Sequence, residues 1–325
     1  MKNSSLLYKS LNSQDITPSE ALSILETDQP YSVFEAANVI REHFNGNKIS
    51  LCSISNAKSG RCSEDCKFCA QSAHYQTAVT PYSLKSKSEI LKEVQMAQES
   101  KADRFSIVTS GKSILSETEY NSILEMISGY PSEMGKCASL GTLSFKQCKM
   151  LRNAGLETYH HNLETSRSYY PQICTTHSYE ERLETLKNAK KAGLTLCSGG
   201  IFGLGETLEQ RVELAFALKE VDPDGIPINF LSPIPGTPLE NMPVIEPLDA
   251  LKIIAMFRFV HPTKTIRIGG GREKALRSLQ PLMFIAGANA VLTGNYLTTA
   301  GKTPQEDWQM IKDLGLLSYR MKINT

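Results

Sequence analysis

Apolar and polar positions alternate in two rhythms along the chain. Short β-like runs at 48–54, 104–109, 136–139, 158–162, 195–199, 225–230, 265–269 and 288–292 predict strands. Helical patterns lie between them, several opened by a Ser or Thr with Glu or Gln three residues on: Ser86 with Glu89, Ser116 with Glu119, Ser144 with Gln147, Ser178 with Glu181, and Thr207 with Gln210. Gly155 and Gly193 fit helix stops. Two helices precede the first strand. One opens at Thr17 and Glu20 with Pro18 at its first position; the other is predicted from a box at Ser32 and Glu35 and stops near Asn45-Gly46. Eight βα units recur at intervals of about 25 to 50 residues with no Pro/Ser-rich linker, which predicts an α/β fold, a (β/α)8 TIM-type barrel with an N-terminal helical extension. The expected division is a helical segment over 1–47, the barrel over 48–315 and a tail over 316–325. A doubly wound open sheet is the alternative that strand counting leaves open.

The strands carry residues that suit a lined cavity better than a packed barrel core, where branched apolar side chains are the rule. In Thr265-Ile266-Arg267-Ile268-Gly269 the isoleucines share one face, so if they pack on helices Arg267 points into the barrel, where a buried cation needs an anionic partner. The same alternation gathers His160, Asn162 and Glu164. Asn229 interrupts the sixth strand, and Cys137 and Cys197 sit in the third and fifth. The plainer reading is that a strand cysteine is a small buried hydrophobe and a strand asparagine satisfies neighbouring backbone. Cys52, Cys148 and Cys174 are read that way, as ordinary core or surface thiols. The apolar helix over 251–260 reads as the buried side of an outer barrel helix rather than a dimer face, and Gly269-Gly270-Gly271 as a turn of close backbone approach rather than an anion cradle.

Composition narrows the partners. With 41% hydrophobic and 21% charged residues the chain is globular, and 35 Lys+Arg against 34 Asp+Glu leave a net charge of +1, which provides no footprint for nucleic acid or an acidic membrane. A small-molecule partner is expected. No apolar run approaches the ~18 residues of a membrane span and the start lacks the apolar core of a signal peptide, so a cytoplasmic location is expected. There, eight cysteines point to metal or catalytic roles rather than disulfides. Cys62, Cys66 and Cys69 form C-x-x-x-C-x-x-C just past the first strand, at the end where barrel enzymes place their chemistry. Three thiolates can hold three corners of a cubane and leave one iron open. A structural zinc site wants a fourth ligand, for which His74 is the nearest candidate, and a ferredoxin-type cluster wants a fourth cysteine.

That loop, with Phe68 before its last cysteine, is similar to the cluster loop of the radical S-adenosylmethionine superfamily. The stretches Asn56-Ala-Lys-Ser-Gly60, Tyr159-His-His-Asn-Leu-Glu164, Cys197-Ser-Gly-Gly-Ile-Phe-Gly-Leu-Gly-Glu206, Pro227-Ile-Asn-Phe230, Arg267-Ile-Gly-Gly-Gly-Arg-Glu273 and Tyr296-Leu-Thr-Thr-Ala300 resemble the biotin synthase family in particular, over about residues 20–315. The resemblance implies a sulfurtransferase that turns dethiobiotin into biotin. Cys62, Cys66 and Cys69 would hold a [4Fe-4S] cluster that chelates S-adenosylmethionine and, once reduced, yields the 5′-deoxyadenosyl radical. Phe68, Asn162, Glu164 and Arg182 would attend that cofactor, with the stretch from Gly199 to Glu206 beside its adenosyl part; Asn162, Asn229 and His160 would attend dethiobiotin. An auxiliary cluster, [2Fe-2S] in the best-known members, would supply sulfur from Cys137, Cys197, Arg267 and a fourth position. The resemblance further implies a flavodoxin-like or ferredoxin-like electron donor, iron-sulfur assembly proteins and a homodimer, with no catalytic residue beyond the cluster and substrate ligands.

The chain departs from the family pattern at three places. The family's fourth auxiliary cysteine falls on Ser106, whose hydroxyl is far less acidic than a thiol of pKa about 8.5. Ser106 ligates the cluster, the cluster rests on Cys137, Cys197 and Arg267 in some other form, or it is absent. His160 replaces an asparagine that touches substrate, and Glu164 replaces an aspartate. An isomerase or cofactor-maturation enzyme on the same scaffold would need no auxiliary sulfur, and a cluster carrier would turn over nothing.

Overall fold

The computed structural model describes residues 2–114 and 116–318. Eight strand positions close into a parallel barrel: β1 (Lys48–Lys58), β2 (Arg104–Thr109), β3 (Gly135–Ser139), β4 (Thr158–His160), β5 (Thr195–Cys197, resumed at Gly200–Phe202), β6 (Gly225–Phe230), β7 (Thr265–Ile268) and β8 (Ala290–Leu292), with β8 pairing back onto β1. This is the (β/α)8 architecture, and the open-sheet alternative falls with the β8–β1 pairing. The fifth strand breaks because its backbone gives way to a close contact at Gly199, where a Cβ would stand 1.9 Å from the Pro227 carbonyl oxygen. Residues 319–325 of the expected tail lie outside the described residues; Leu317–Ser318 pair with the start of β1.

Capping chemistry sets the helix starts. The boxes at Thr17, Ser86, Ser144, Ser178 and Thr207 form reciprocally, and Ser116 accepts from the Glu119 amide. The box at Ser32 does not form. That helix (Pro30–Asn45) begins three residues earlier, capped at Gln29, because Pro30 is suited to the helical φ of the first position, and the Ser32 hydroxyl bonds the Gln29 carbonyl instead. A further reciprocal box, Thr303 with Glu306, opens the helix Pro304–Asp313.

Branched side chains of the strands face outward against the helices, as with fully buried Ile266 and Ile268, so the polar positions alternate inward. The helix Pro247–Val260 is buried from Leu251 to Val260 save Lys252, because the N-terminal helices Pro18–Leu25 and Pro30–Asn45 pack over its outer side. Its apolar surface is thus consumed within the chain. At its end Arg258, fully buried without a carboxylate, donates to the carbonyls of Gly287, Pro262 and Lys264 at 2.8 to 2.9 Å and to Asn289 Oδ1 at 2.9 Å. Burial pushes this guanidinium down to about 9.

Candidate active site

The cysteine loop leaves the top of β1 and is fixed by its own backbone. Cys62 donates to the Gln71 carbonyl at 3.0 Å, Ala73 donates to the Cys62 carbonyl at 2.7 Å, and Cys69 donates to the Cys66 carbonyl at 2.9 Å. Gln71 reaches back with Oε1 to accept from the Gly60 amide at 3.1 Å. Asp65 docks the loop onto the segment after Ile173, accepting from the Thr175 and Thr176 amides at 2.9 and 3.2 Å. Partial burial opposes its charge, yet these hydrogen bonds hold the Asp65 carboxyl well below its ordinary range. Burial raises the Cys62 thiol and pushes Cys69 up to about 11, so a metal must displace protons to bind there. The three Sγ atoms do not gather within 4.8 Å of one another, a spread too wide for one ion.

Phe68, Cys69 and Gln71 form one wall of a cavity of about 600 Å³ that descends into the barrel. Cys62 and Cys66 do not line it. Lower down, its walls are Cys52 and Ile54 of β1, Arg104 and Ser106 of β2, Cys137 of β3, His160 of β4, Cys197 of β5, Asn229 of β6 and Arg267 of β7. Arg267 Nη1 stands 3.3 Å from Cys197 Sγ, while its Nε is buried without a partner. Arg104 Nη1 lies 3.7 Å from Cys137 Sγ and 2.9 Å from Thr158 Oγ1. Ser106 Oγ is likewise buried without a partner. Burial raises the Cys137 and Cys197 thiols and pushes the His160 imidazole down to about 4, so His160 is neutral at pH 7.

On the opposite wall, Asn162 and Glu164 line the cavity and Arg182 stands behind them. Arg182 Nη1 donates to the Asn162 carbonyl at 3.0 Å and lies 3.4 Å from Glu164 Oε1; its Nε donates to Tyr170 OH at 2.8 Å. Asn162 Nδ2 donates to Glu164 Oε2 at 3.2 Å, and Asn162 Oδ1 accepts from the Gly199 amide at 3.1 Å. Glu164 takes φ +70°, a conformation that side-chain-bearing residues seldom adopt, and a Cβ on Gly200 would stand 2.5 Å from its carbonyl oxygen. Asn229 spans backbone, donating to the Gly200 carbonyl at 3.1 Å and accepting from the Gly270 amide at 2.9 Å. Gly271 holds φ +80° with no room for a Cβ, which would meet the Phe230 carbonyl oxygen at 1.9 Å, so the triple glycine is a close-approach turn.

Two cysteines read as ordinary take special places. Cys52 lines the cavity, and Cys174 accepts from Cys66 Sγ at 3.7 Å with His177 Nδ1 at 3.2 Å and Glu64 Oε2 a further 2.5 Å from that nitrogen. The hydrogen bond from Cys66, with help from His177, draws the Cys174 thiol down to about 4. No periodicity marks it, because Cys174 sits in irregular chain more than a hundred residues from Cys66. The spacing Cys174-x-x-His177 was the available signal.

Residues 57–218 match the Radical SAM superfamily, and residues 227–317 match the Biotin and Thiamin Synthesis associated domain. A biotin synthase of Pelotomaculum thermopropionicum is 50% identical over 315 residues, 96% of this chain and 98% of its own length, and one of Clostridium tetani is 50% identical over 313 residues, 95% and 96%. The chain belongs to the biotin synthase family. Among solved structures, methylornithine synthase superposes with a TM-score of 0.84 at 20% identity over 97% of both chains, and a maturase of the [FeFe]-hydrogenase with 0.84 at 17% over 99% of this chain and 76% of its own; these share the fold. Membership in the biotin synthase family brings a [4Fe-4S] cluster and S-adenosylmethionine. The donor set suits that cluster: three thiols on one braced loop, too far apart for a single ion and beside a cavity with room for an organic cofactor. Among the described residues no helix is long and apolar enough to cross a membrane.

Proposed function

We propose that this chain is a radical S-adenosylmethionine sulfurtransferase that converts dethiobiotin to biotin, with Cys62, Cys66 and Cys69 holding the [4Fe-4S] cluster. The observation that carries the reading is the continuity of one cavity from Cys69 and Phe68 past Asn162 and Glu164 to Cys137, Cys197 and Arg267. Bound at the loop, the cluster and S-adenosylmethionine supply a 5′-deoxyadenosyl radical able to take hydrogen from unactivated carbon. The chain's own residues bind, orient and exclude water. Arg182 fixes the Glu164 carboxylate and the Asn162 backbone, so both present polar atoms to the cofactor without rotamer search. Asn162 and Asn229, each already braced by backbone, are suited to hold dethiobiotin between the mouth and the floor. His160, neutral at pH 7, offers hydrogen bonds there without adding charge.

At the floor, an auxiliary iron-sulfur cluster is the proposed sulfur source, with Cys137, Cys197 and Arg267 in its shell. Arg267 is a half-buried cation on the cavity wall beside thiols, and anionic thiolates are the partners that suit it. A rearranging or maturation enzyme, or a cluster carrier, is not favoured by kinship of about 50% identity over nearly the whole chain. The reading extends to a flavodoxin-like or ferredoxin-like donor, iron-sulfur assembly proteins, a cytoplasmic homodimer, and a barrel domain over 48–315 between the helical segment and the tail. Anaerobically reconstituted protein given dethiobiotin, S-adenosylmethionine and reductant should form biotin or a thiolated intermediate together with 5′-deoxyadenosine. Cleavage of S-adenosylmethionine with neither sulfur product would sink the proposal.

A further inference from the structure

The floor of the cavity holds a thiol that neither the chain's resemblance nor its kinship assigns. Cys52 lies on β1, the strand paired directly with β2, and is level with Arg104 in the register. It is buried, yet it faces the lumen with Cys137 and Cys197, where a barrel interior would ordinarily carry branched apolar residues. Three thiols therefore line the floor although the β2 position carries Ser106. Arg267 has no carboxylate among its hydrogen-bonding partners, and its guanidinium is within electrostatic reach of Cys52, Cys197 and Cys137 together. The three sulfurs do not all lie within 4.8 Å of one another, so they are not gathered around a single ion.

From this arrangement we infer that Cys52, Cys137 and Cys197 are the thiolate ligands of the auxiliary iron-sulfur cluster, and that Ser106 is not a ligand. The inference rests on the sulfurtransferase reading. Each thiol gives up its proton to solvent as its sulfur bonds iron, so the floor gains three thiolate charges and loses none of its cations. A metal-bound thiolate at Cys52, on the same cavity wall as Arg267, is an anion that this guanidinium can neutralise. Ser106 offers an alcohol whose proton is far harder to remove than a thiol's. Its Oγ, buried without a partner, is placed to donate a hydrogen bond toward the floor instead. The inventory of ligands has thus moved by one strand around the barrel, from β2 to β1, while the number of thiols stays at three.

The experiment uses the full chain, purified anaerobically, in a Cys62→Ala/Cys66→Ala/Cys69→Ala background that removes the radical cluster. Iron, acid-labile sulfide and Mössbauer spectra are measured for that background and for the same chain carrying Cys52→Ser, Cys52→Ala, Ser106→Ala or Cys148→Ser, with circular dichroism to establish folding. Cys148 is a buried thiol on the helix Phe145–Asn153, remote from the cavity lining, and controls for general loss of a core sulfur. The expected result is an auxiliary signal in the background that both Cys52 variants lower at least fivefold, while Ser106→Ala and Cys148→Ser keep it. Retention by both Cys52 variants, loss in Ser106→Ala, equal loss in Cys148→Ser, or no second cluster in the background overturns the inference. Biotin formation by the unchanged chain is scored separately. Biotin made while the Cys52 variants keep their iron refutes only the ligand assignment; a Cys52-dependent cluster in a chain that makes no biotin keeps the assignment and refutes sulfur insertion.

Discussion

Asp307→Asn tests how the mouth of the cavity is held. Arg272, directly after the triple glycine, is fully buried, and its Nη2 contacts both Asp307 oxygens at 2.7 and 2.8 Å from the helix Pro304–Asp313. Arg272 Nε donates to Tyr296 OH at 3.0 Å, and that hydroxyl donates to Glu273 Oε1 at 2.8 Å, so a cavity-lining tyrosine hangs from the same pair. Asparagine keeps the shape and one acceptor but removes the charge. Breaking one partner of a buried pair costs ~3–5 kcal/mol because the other charge is stranded. Here Glu273 Oε1, 3.3 Å from Arg272 Nε, retains part of the compensation, which places the loss near the lower end, about 3 kcal/mol. For a chain of this size that lowers the melting temperature by roughly 6 °C. Replacing both partners, Arg272→Met with Asp307→Leu, removes the stranded charge and should restore stability to within about 1 kcal/mol. Scanning calorimetry on anaerobic protein reads both. A drop below about 2 °C for Asp307→Asn, or a double variant as unstable as the single one, would refute the reasoning.

Arg182→Met leaves the Glu164 carboxylate without its cation and should weaken binding of S-adenosylmethionine to the cluster-loaded protein at least tenfold, about 1.4 kcal/mol, by equilibrium dialysis; unchanged affinity removes Arg182 from the site. Gly199→Ala drives a Cβ to 1.9 Å from the Pro227 carbonyl, so the break in β5 must shift; lower soluble yield and melting temperature are expected, and an unaltered melt contradicts the packing. His261 is held down at about 3 by burial, its Nε2 3.0 Å from the Ala215 carbonyl, against about 6.5 unfolded. The unfolded chain therefore binds the extra proton first: this stability is full above pH 6.5 and declines as pH falls, by about 2 kcal/mol at pH 5. Urea midpoints at pH 7 and pH 5 should differ less in His261→Gln than in the unchanged chain, and equal differences would count against the assignment.

The barrel was legible because its βα rhythm and capping boxes are local. The box at Ser32 misled because Pro30 sets a helix start without needing a side-chain cap. Alternation in a single strand was enough to turn Arg267 inward, since Ile266 and Ile268 define the opposite face, whereas Cys137 and Cys197, on other strands, were singled out by the family resemblance. Cys52 was not legible in the same way. Its strand, Lys48–Lys58, has apolar residues on both faces, and which face meets the lumen depends on closure against β8, a pairing with a partner more than two hundred residues away. Cys174 and His177 lie where no periodicity applies, and it is contacts made by Glu64, Asp65 and Cys66 across more than a hundred residues that bring their segment to the cysteine loop.

The covering of the helix Pro247–Val260 by the first helices of the chain has a consequence for biosynthesis. Strand β1 cannot complete its pairing until Ala290–Leu292 has left the ribosome, and the N-terminal helices cannot bury their apolar sides until Pro247–Val260 exists. At ~5–20 residues per second, more than two hundred residues of synthesis hold those first surfaces exposed for on the order of 10–50 s. The nascent chain must therefore pass through a long interval in which the apolar sides of Pro18–Leu25 and Pro30–Asn45 lack their partner helix and the cysteine loop stands on an unclosed barrel.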